Sequence, residues 1–266
     1  MGKRTDYYRK TKKKKKRKSF FKTKILLGLG IVLGVSFFLL KHNEPKMEAQ
    51  INQANLIVNE IVTAVSGKVK VDNQKDLIVT PADGEPRKGL ILYPETEVAS
   101  EAYIPLATKL AEKGYRVVIP KFLFNNPTID VNKVNSIISE NAIVDLWAVG
   151  GHGEGGIIAS KALLGNDKIK GAFFLASYPD ETVNLVDSGL KATAIYGSKD
   201  NTFAKSNLTT RKSSLPKNTV YTVIENGNHS YFGNYQNENT GITEEEQQIQ
   251  TVVQLVNLMD ELREST

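Results

Sequence analysis

The chain has 266 residues, room for one α/β domain of about 200 residues with additional segments. It contains no cysteine, which excludes a disulfide framework, a thiol nucleophile and a cysteine-based metal site. The formal net charge of +6 is unevenly spread: residues 1–24 hold thirteen Lys/Arg against Asp6 alone, whereas residues 25–266 hold 22 basic and 28 acidic groups. A basic tail therefore precedes a mildly acidic globule, and no basic face on the globule argues for nucleic acid.

In chain order, residues 1–24 include the run Lys12–Lys18, too highly charged to pack. Ile25 to Leu40 comes next without a single charge. Sixteen helical residues would span roughly 24 Å, slightly less than a hydrocarbon core of about 30 Å; Phe20 and Phe21 lengthen the apolar stretch, and Lys22 and Lys24 can reach headgroups. Residues 25–40 read as a transmembrane signal anchor, with the N-terminus cytoplasmic and residues 41–266 outside the cell. A cleaved signal peptide and a buried core helix are the alternatives; Lys41–Pro45 makes a poor cleavage region, and a basic run does not normally preface a core helix. The basic tail implies attraction to anionic membrane lipids.

Between residues 41 and 67 lies an apolar stripe, Ile51, Ala54, Ile57, Val58, Ile61, Val62 and Val65, spaced for one face of a helix that docks as a stalk or dimerises. From residue 68 onward the pattern alternates in the α/β manner. Residues 68–71 and 77–80 read as a hairpin. Strands are expected at 89–94, 115–120, 146–149, 171–176, 192–196 and 219–224, most of them nearly continuous apolar runs suited to a sheet covered on both faces. Helices fall between them: one ending at Lys113, with Pro105 in its first turn and Gly114 as its cap, then 131–140, 157–164 and 244–263.

Val149-Gly150-Gly151-His152-Gly153-Glu154-Gly155-Gly156 joins a strand to a helix through a glycine-rich turn, the layout of a nucleophile elbow, G-x-S-x-G. The central position, where a serine should stand, is Gly153. In this architecture an acid and then a base come later in the chain. Asp200, after the strand 192–196, is placed for the acid, although it also suits a helix cap near Thr202. His229, after the last strand, is placed for the base; a plain loop histidine is the competing reading. His152 suits support of the turn, Asp145 a solvated turn, and the Glu154 side chain is a remote candidate for a substitute carboxylate.

Three segments together carry a family resemblance: Gly150-Gly151-His152-Gly153-Glu154-Gly155-Gly156, Tyr196-Gly197-Ser198-Lys199-Asp200 and Gly227-Asn228-His229-Ser230-Tyr231-Phe232-Gly233. With Tyr93-Pro94 and Ala102-Tyr103, they make residues from about 68 to 264 similar to the α/β-hydrolase superfamily, family 5 type. The resemblance implies an α/β-hydrolase fold, a mostly parallel central sheet flanked by helices, and a serine hydrolase acting on a small ester or other acyl substrate without cofactor or metal. Asp200 and His229 correspond to acid and base, and Gly153 to the nucleophile's position. The backbone N–H of Glu154 and the Pro94-Glu95-Thr96 loop correspond to the oxyanion donors. Glu95 and Thr96 replace two glycines typical of that loop, and a carboxylate there opposes developing negative charge unless it points away. Two outcomes remain open. One is a hydrolase inactivated at Gly153, with direct activation of water by His229 and Asp200 as a slow variant. The other is a non-catalytic protein that binds a ligand or partner in the same crevice.

Overall fold

The computed structural model describes residues 67–130, 132–202, 209–236 and 240–263. The basic tail, the apolar stretch 25–40 and the striped segment 47–65 lie outside the described residues. Among the described residues no helix is long and apolar enough to cross a membrane.

Eight strands form one sheet: β1 (Val69–Asp72), β2 (Leu77–Pro81), β3 (Lys88–Tyr93), β4 (Arg116–Ile119), β5 (Leu146–His152), β6 (Ile169–Leu175), β7 (Lys191–Gly197) and β8 (Val220–Ile224). Their spatial order is β1-β2-β4-β3-β5-β6-β7-β8. The opening hairpin pairs antiparallel and joins β4 antiparallel; every other pairing is parallel. The helices are α1 (Ile104–Ala111), α2 (Lys133–Glu140), α3 (Gly153–Ser160) and α4 (Glu244–Glu261). The apolar runs of β3 and β5 bury almost every residue, around a fully enclosed Trp147. β8 departs from that pattern. As an edge strand it leaves Val220, Tyr221 and Val223 exposed.

Two features of this topology position the site. The chain goes from β3 outward to β4, then returns to β5 on the other side of β3. That reversal opens a crevice at the carboxyl ends of β3 and β5, where ligands bind in open α/β sheets. The turn after β5 is also tighter than its sequence suggests. β5 runs on through His152, and α3 begins at Gly153, four residues before the expected Ile157. Glycine is a weak helix former, but here tertiary packing overrides propensity. A β-carbon on Gly155 would stand 2.0 Å from the Pro94 carbonyl oxygen, so only glycine lets α3 start so close to the end of β3.

Candidate active site

Gly153 has φ +49, a left-handed conformation that bends the chain at the mouth of the crevice. Its carbonyl accepts a 2.6 Å hydrogen bond from the buried Ser177 hydroxyl, which fixes the turn from β6's side. The space above its α-carbon is taken. A β-carbon at this position would lie 1.5 Å from Oε2 of Glu95. The Glu95 carboxylate thus stands where a side chain at residue 153 would be.

The backbone around Glu95 explains this placement. Its N–H donates to the Tyr103 hydroxyl at 2.9 Å, and that hydroxyl also pairs with Nδ1 of His152 at 2.9 Å. The loop backbone is thereby turned so that the side chain enters the site. Oε1 accepts from the Thr96 N–H at 2.7 Å and from the Glu154 N–H at 3.2 Å; Oε2 also lies 3.2 Å from the Glu154 nitrogen. Sequence reasoning expected the loop around Glu95 to donate toward a developing oxyanion. Instead the Glu95 N–H is committed to Tyr103, the loop's donor is Thr96, and the carboxylate itself occupies the donors' focus. The Glu154 side chain turns outward, where it accepts from the Thr96 hydroxyl at 2.7 Å.

His229 bridges two carboxylates. Its Nδ1 lies 2.9 Å from Asp200 Oδ2 and its Nε2 lies 3.3 Å from Glu95 Oε2. The Asp200 side chain is completely enclosed, and its other oxygen accepts from the Thr202 N–H at 2.9 Å; the helix that it was expected to cap falls on residues outside those described. Burial opposes charge on His229, but the hydrogen bonds and negative charges of Asp200 and Glu95 overcome it and raise the imidazole to about 9. The ring is therefore biased toward the imidazolium, with a carboxylate oxygen facing each nitrogen. His152, packed against it with ring centroids 4.4 Å apart, moves the other way: complete burial, reinforced by the charge of His229, holds it well below the ordinary range and neutral.

The structure thus gathers Glu95, Gly153, Glu154, Asp200 and His229 at one point, from loops far apart in sequence. Asp145 lies elsewhere, paired with Arg87 at 2.6 Å. Donor atoms of Glu95, His152 and His229 also lie within 4.8 Å of one another. Glu95 and His229 are hydrogen-bonded to each other, and His152 is held through Nδ1 by Tyr103 while its buried Nε2 has no hydrogen-bond partner. Sequence reasoning gave no role to Gln247. This fully buried side chain on α4 accepts from the Asn228 N–H at 2.9 Å and donates to the Asn228 carbonyl at 2.8 Å, clamping the residue before His229. A polar residue among the apolar positions of an amphipathic helix was the available signal.

Fold and site together define a protein of α/β-hydrolase architecture with an acid–histidine pair at the crevice. The alpha/beta hydrolase family matches residues 89–250, and the chain belongs to it. No curated relative matches the chain. Among solved structures it is similar to a CIB-like hydrolase from Thermoplasma acidophilum (15% identity, TM-score 0.57, covering 71% of this chain and 99% of the other). It is also similar to a protein titled as a dienelactone hydrolase from Klebsiella pneumoniae subsp. pneumoniae (16% identity, TM-score 0.52, covering 70% and 92%). At these identities the likeness is one of fold.

Proposed function

We propose that this chain is a membrane-tethered, extracytoplasmic hydrolase that keeps the Asp200–His229 pair and has exchanged an elbow serine for the carboxylate of Glu95. The supporting observation is the 1.5 Å separation between a β-carbon built on Gly153 and Glu95 Oε2. A serine β-carbon and Glu95 in this rotamer cannot share that point, and the carboxylate would have to leave the Thr96 and Glu154 N–H groups for a serine to fit. The two departures from the family pattern are then a single exchange, and acyl transfer through residue 153 is abolished. A second reading, a non-catalytic protein that binds a ligand or partner, draws on the same contacts: Glu95 fills the amide donors that a substrate oxyanion would need.

Labelling by a fluorophosphonate probe tests the exchange. The wild-type chain is expected to remain unlabelled. Gly153→Ser alone is expected to stay inert as well, because Glu95 still occupies the site. The double variant Gly153→Ser/Glu95→Gly is expected to label, with His229 restored as a base. Labelling of the single variant, equal to that of the double, would show that Glu95 does not block the position.

A further inference from the structure

We infer that Glu95, His152 and His229 form a binding site for a divalent metal ion of the zinc class, beside the place an elbow side chain would fill. The inference rests on the reading that Glu95 has taken that place.

The donors converge. One ring nitrogen of each histidine and a carboxylate oxygen of Glu95 lie within 4.8 Å of one another. Nδ1 of His229 is engaged by Asp200 and Nδ1 of His152 by Tyr103, both at 2.9 Å, so Nε2 is the nitrogen each ring has to offer. His229 Nε2 faces Glu95 Oε2 at 3.3 Å. Two ligands on a tetrahedral zinc ion, with bonds of about 2.0–2.1 Å, stand about 3.3–3.4 Å apart. This pair already has that spacing, and His152 has a gap of at most 4.8 Å to close.

His152 Nε2 is the second, independent observation. The atom is completely buried and has no hydrogen-bond partner, and the His229 backbone comes near the ring without completing such a bond. Buried polar atoms are normally satisfied. A proton on Nε2 would be an enclosed donor with nothing to receive it. With the proton on Nδ1, donated to the Tyr103 hydroxyl, Nε2 carries a lone pair instead. Such a lone pair, beside a second imidazole and a carboxylate, has a use when a cation sits among them.

The outer contacts agree. Ligating imidazoles almost always donate their other N–H to a protein oxygen, which fixes the ring; here the enclosed Asp200 serves His229 and Tyr103 serves His152. The Thr96 amide holds Oε1 of Glu95 at 2.7 Å and leaves Oε2 to bind. Two imidazoles and one carboxylate suit zinc, whereas magnesium and calcium prefer oxygen ligands throughout. Binding displaces the proton between His229 and Glu95. Three protein ligands leave a fourth position for water, the pattern of catalytic rather than structural zinc. Glu95 and His229 are both partly open to solvent, so ion and water can enter from the crevice. The family resemblance implies chemistry without a metal; Glu95, standing where that loop typically has glycine, supplies the third ligand.

Zinc binding by the full-length chain, purified in detergent without a histidine tag and stripped with a chelator, tests the site. Competition with a chromophoric chelator is expected to show one zinc ion per chain. The third histidine of the chain, His42, lies outside the described residues, and His42→Gln is expected to bind zinc like wild type. Loss of even an outer partner costs a metal site about 10–100-fold in affinity, so Glu95→Gln and His229→Gln are each expected to weaken binding more than about tenfold. His152 is read in place, because replacing it would open the core: zinc is expected to move the Nε2 resonances of both rings in the nitrogen spectrum. Absence of one zinc ion per chain, in protein whose circular dichroism is native, overturns the inference. So does a smaller loss in either Glu95→Gln or His229→Gln, an unmoved His152 resonance, or a loss in His42→Gln. None of these results touches the serine exchange, which the fluorophosphonate experiment, run on zinc-free chains, decides separately.

Discussion

His229 shows how one residue's surroundings set its chemistry. A general base is most effective when its pKa lies near the working pH; with Asp200 on one nitrogen and Glu95 on the other, this imidazole is raised to about 9. The resting site is a proton donor. Nuclear magnetic resonance titration of the ring, assigned through His229→Gln, is expected to give a midpoint near 9, and Glu95→Gln is expected to lower it, since one of two raising partners is gone. The consequence for stability has a definite sign. A pKa raised in the folded state binds its proton more tightly there, so the contribution is complete below the ordinary value of 6.5 and disappears as pH rises through about 9. Equilibrium denaturation of wild type against Glu95→Gln is expected to show their difference shrinking across that interval. An unchanged midpoint in Glu95→Gln would mean that Glu95 does not face the ring. Asp200 and His229 were legible as candidates because each comes after a strand in the expected order. The meeting of Glu95 with Gly153 was not legible. Fifty-eight residues separate them, and no pattern in a loop tells where one side chain will point.

Elements explain what the sequence could and could not disclose. Strands β3, β5, β6 and β7 were readable because both faces are buried, which demands unbroken apolar runs. The start of α3 was misplaced because four residues with three glycines resemble a loop until the packing against Pro94 is known. Helix α4 is better specified than its apolar stripe alone suggests. Thr243 and Glu246 form a reciprocal capping box, and the next residue, Gln247, meets the His229 loop. The cap fixes where the helix begins, and therefore the height at which Gln247 meets Asn228. Gln247→Leu would strand a buried N–H and a buried carbonyl, a loss of about 1–3 kcal/mol for each unsatisfied group. In a domain of this size each kcal/mol lowers Tm by about 2–4 °C. Thermal unfolding is expected to show that loss, and amide exchange at residues 227–230 to accelerate more than in β5. Uniform acceleration across the sheet would indicate a general packing defect and remove Gln247's positioning role.

At the scale of the whole molecule, charge and hydropathy divide the sequence into a basic run, an uncharged stretch and an acidic part. The family fold occupies the acidic part, while the basic run and the uncharged stretch 25–40 precede it. Such an order favours retention of the basic end in the cytoplasm and export of the residues beyond the uncharged stretch. A substrate would then meet the crevice outside the cell. Because the chain has no cysteine, its topology can be read from one introduced thiol without background. Lys113, exposed in the turn after α1 and remote in sequence from the site loops, is a suitable place. In intact cells producing Lys113→Cys, a membrane-impermeant maleimide is expected to label the membrane fraction fully, with no increase on lysis. Labelling that appears only after lysis would put the domain in the cytoplasm and defeat the tether proposal. Labelled protein found in the medium, shorter by about the first forty residues, would replace the anchor with a cleaved signal. Deleting residues 1–24 separates the two contributions of the N-terminal part. If the basic run sets orientation and the apolar stretch supplies retention, the deletion variant stays in the membrane but yields a mixed population in the maleimide assay.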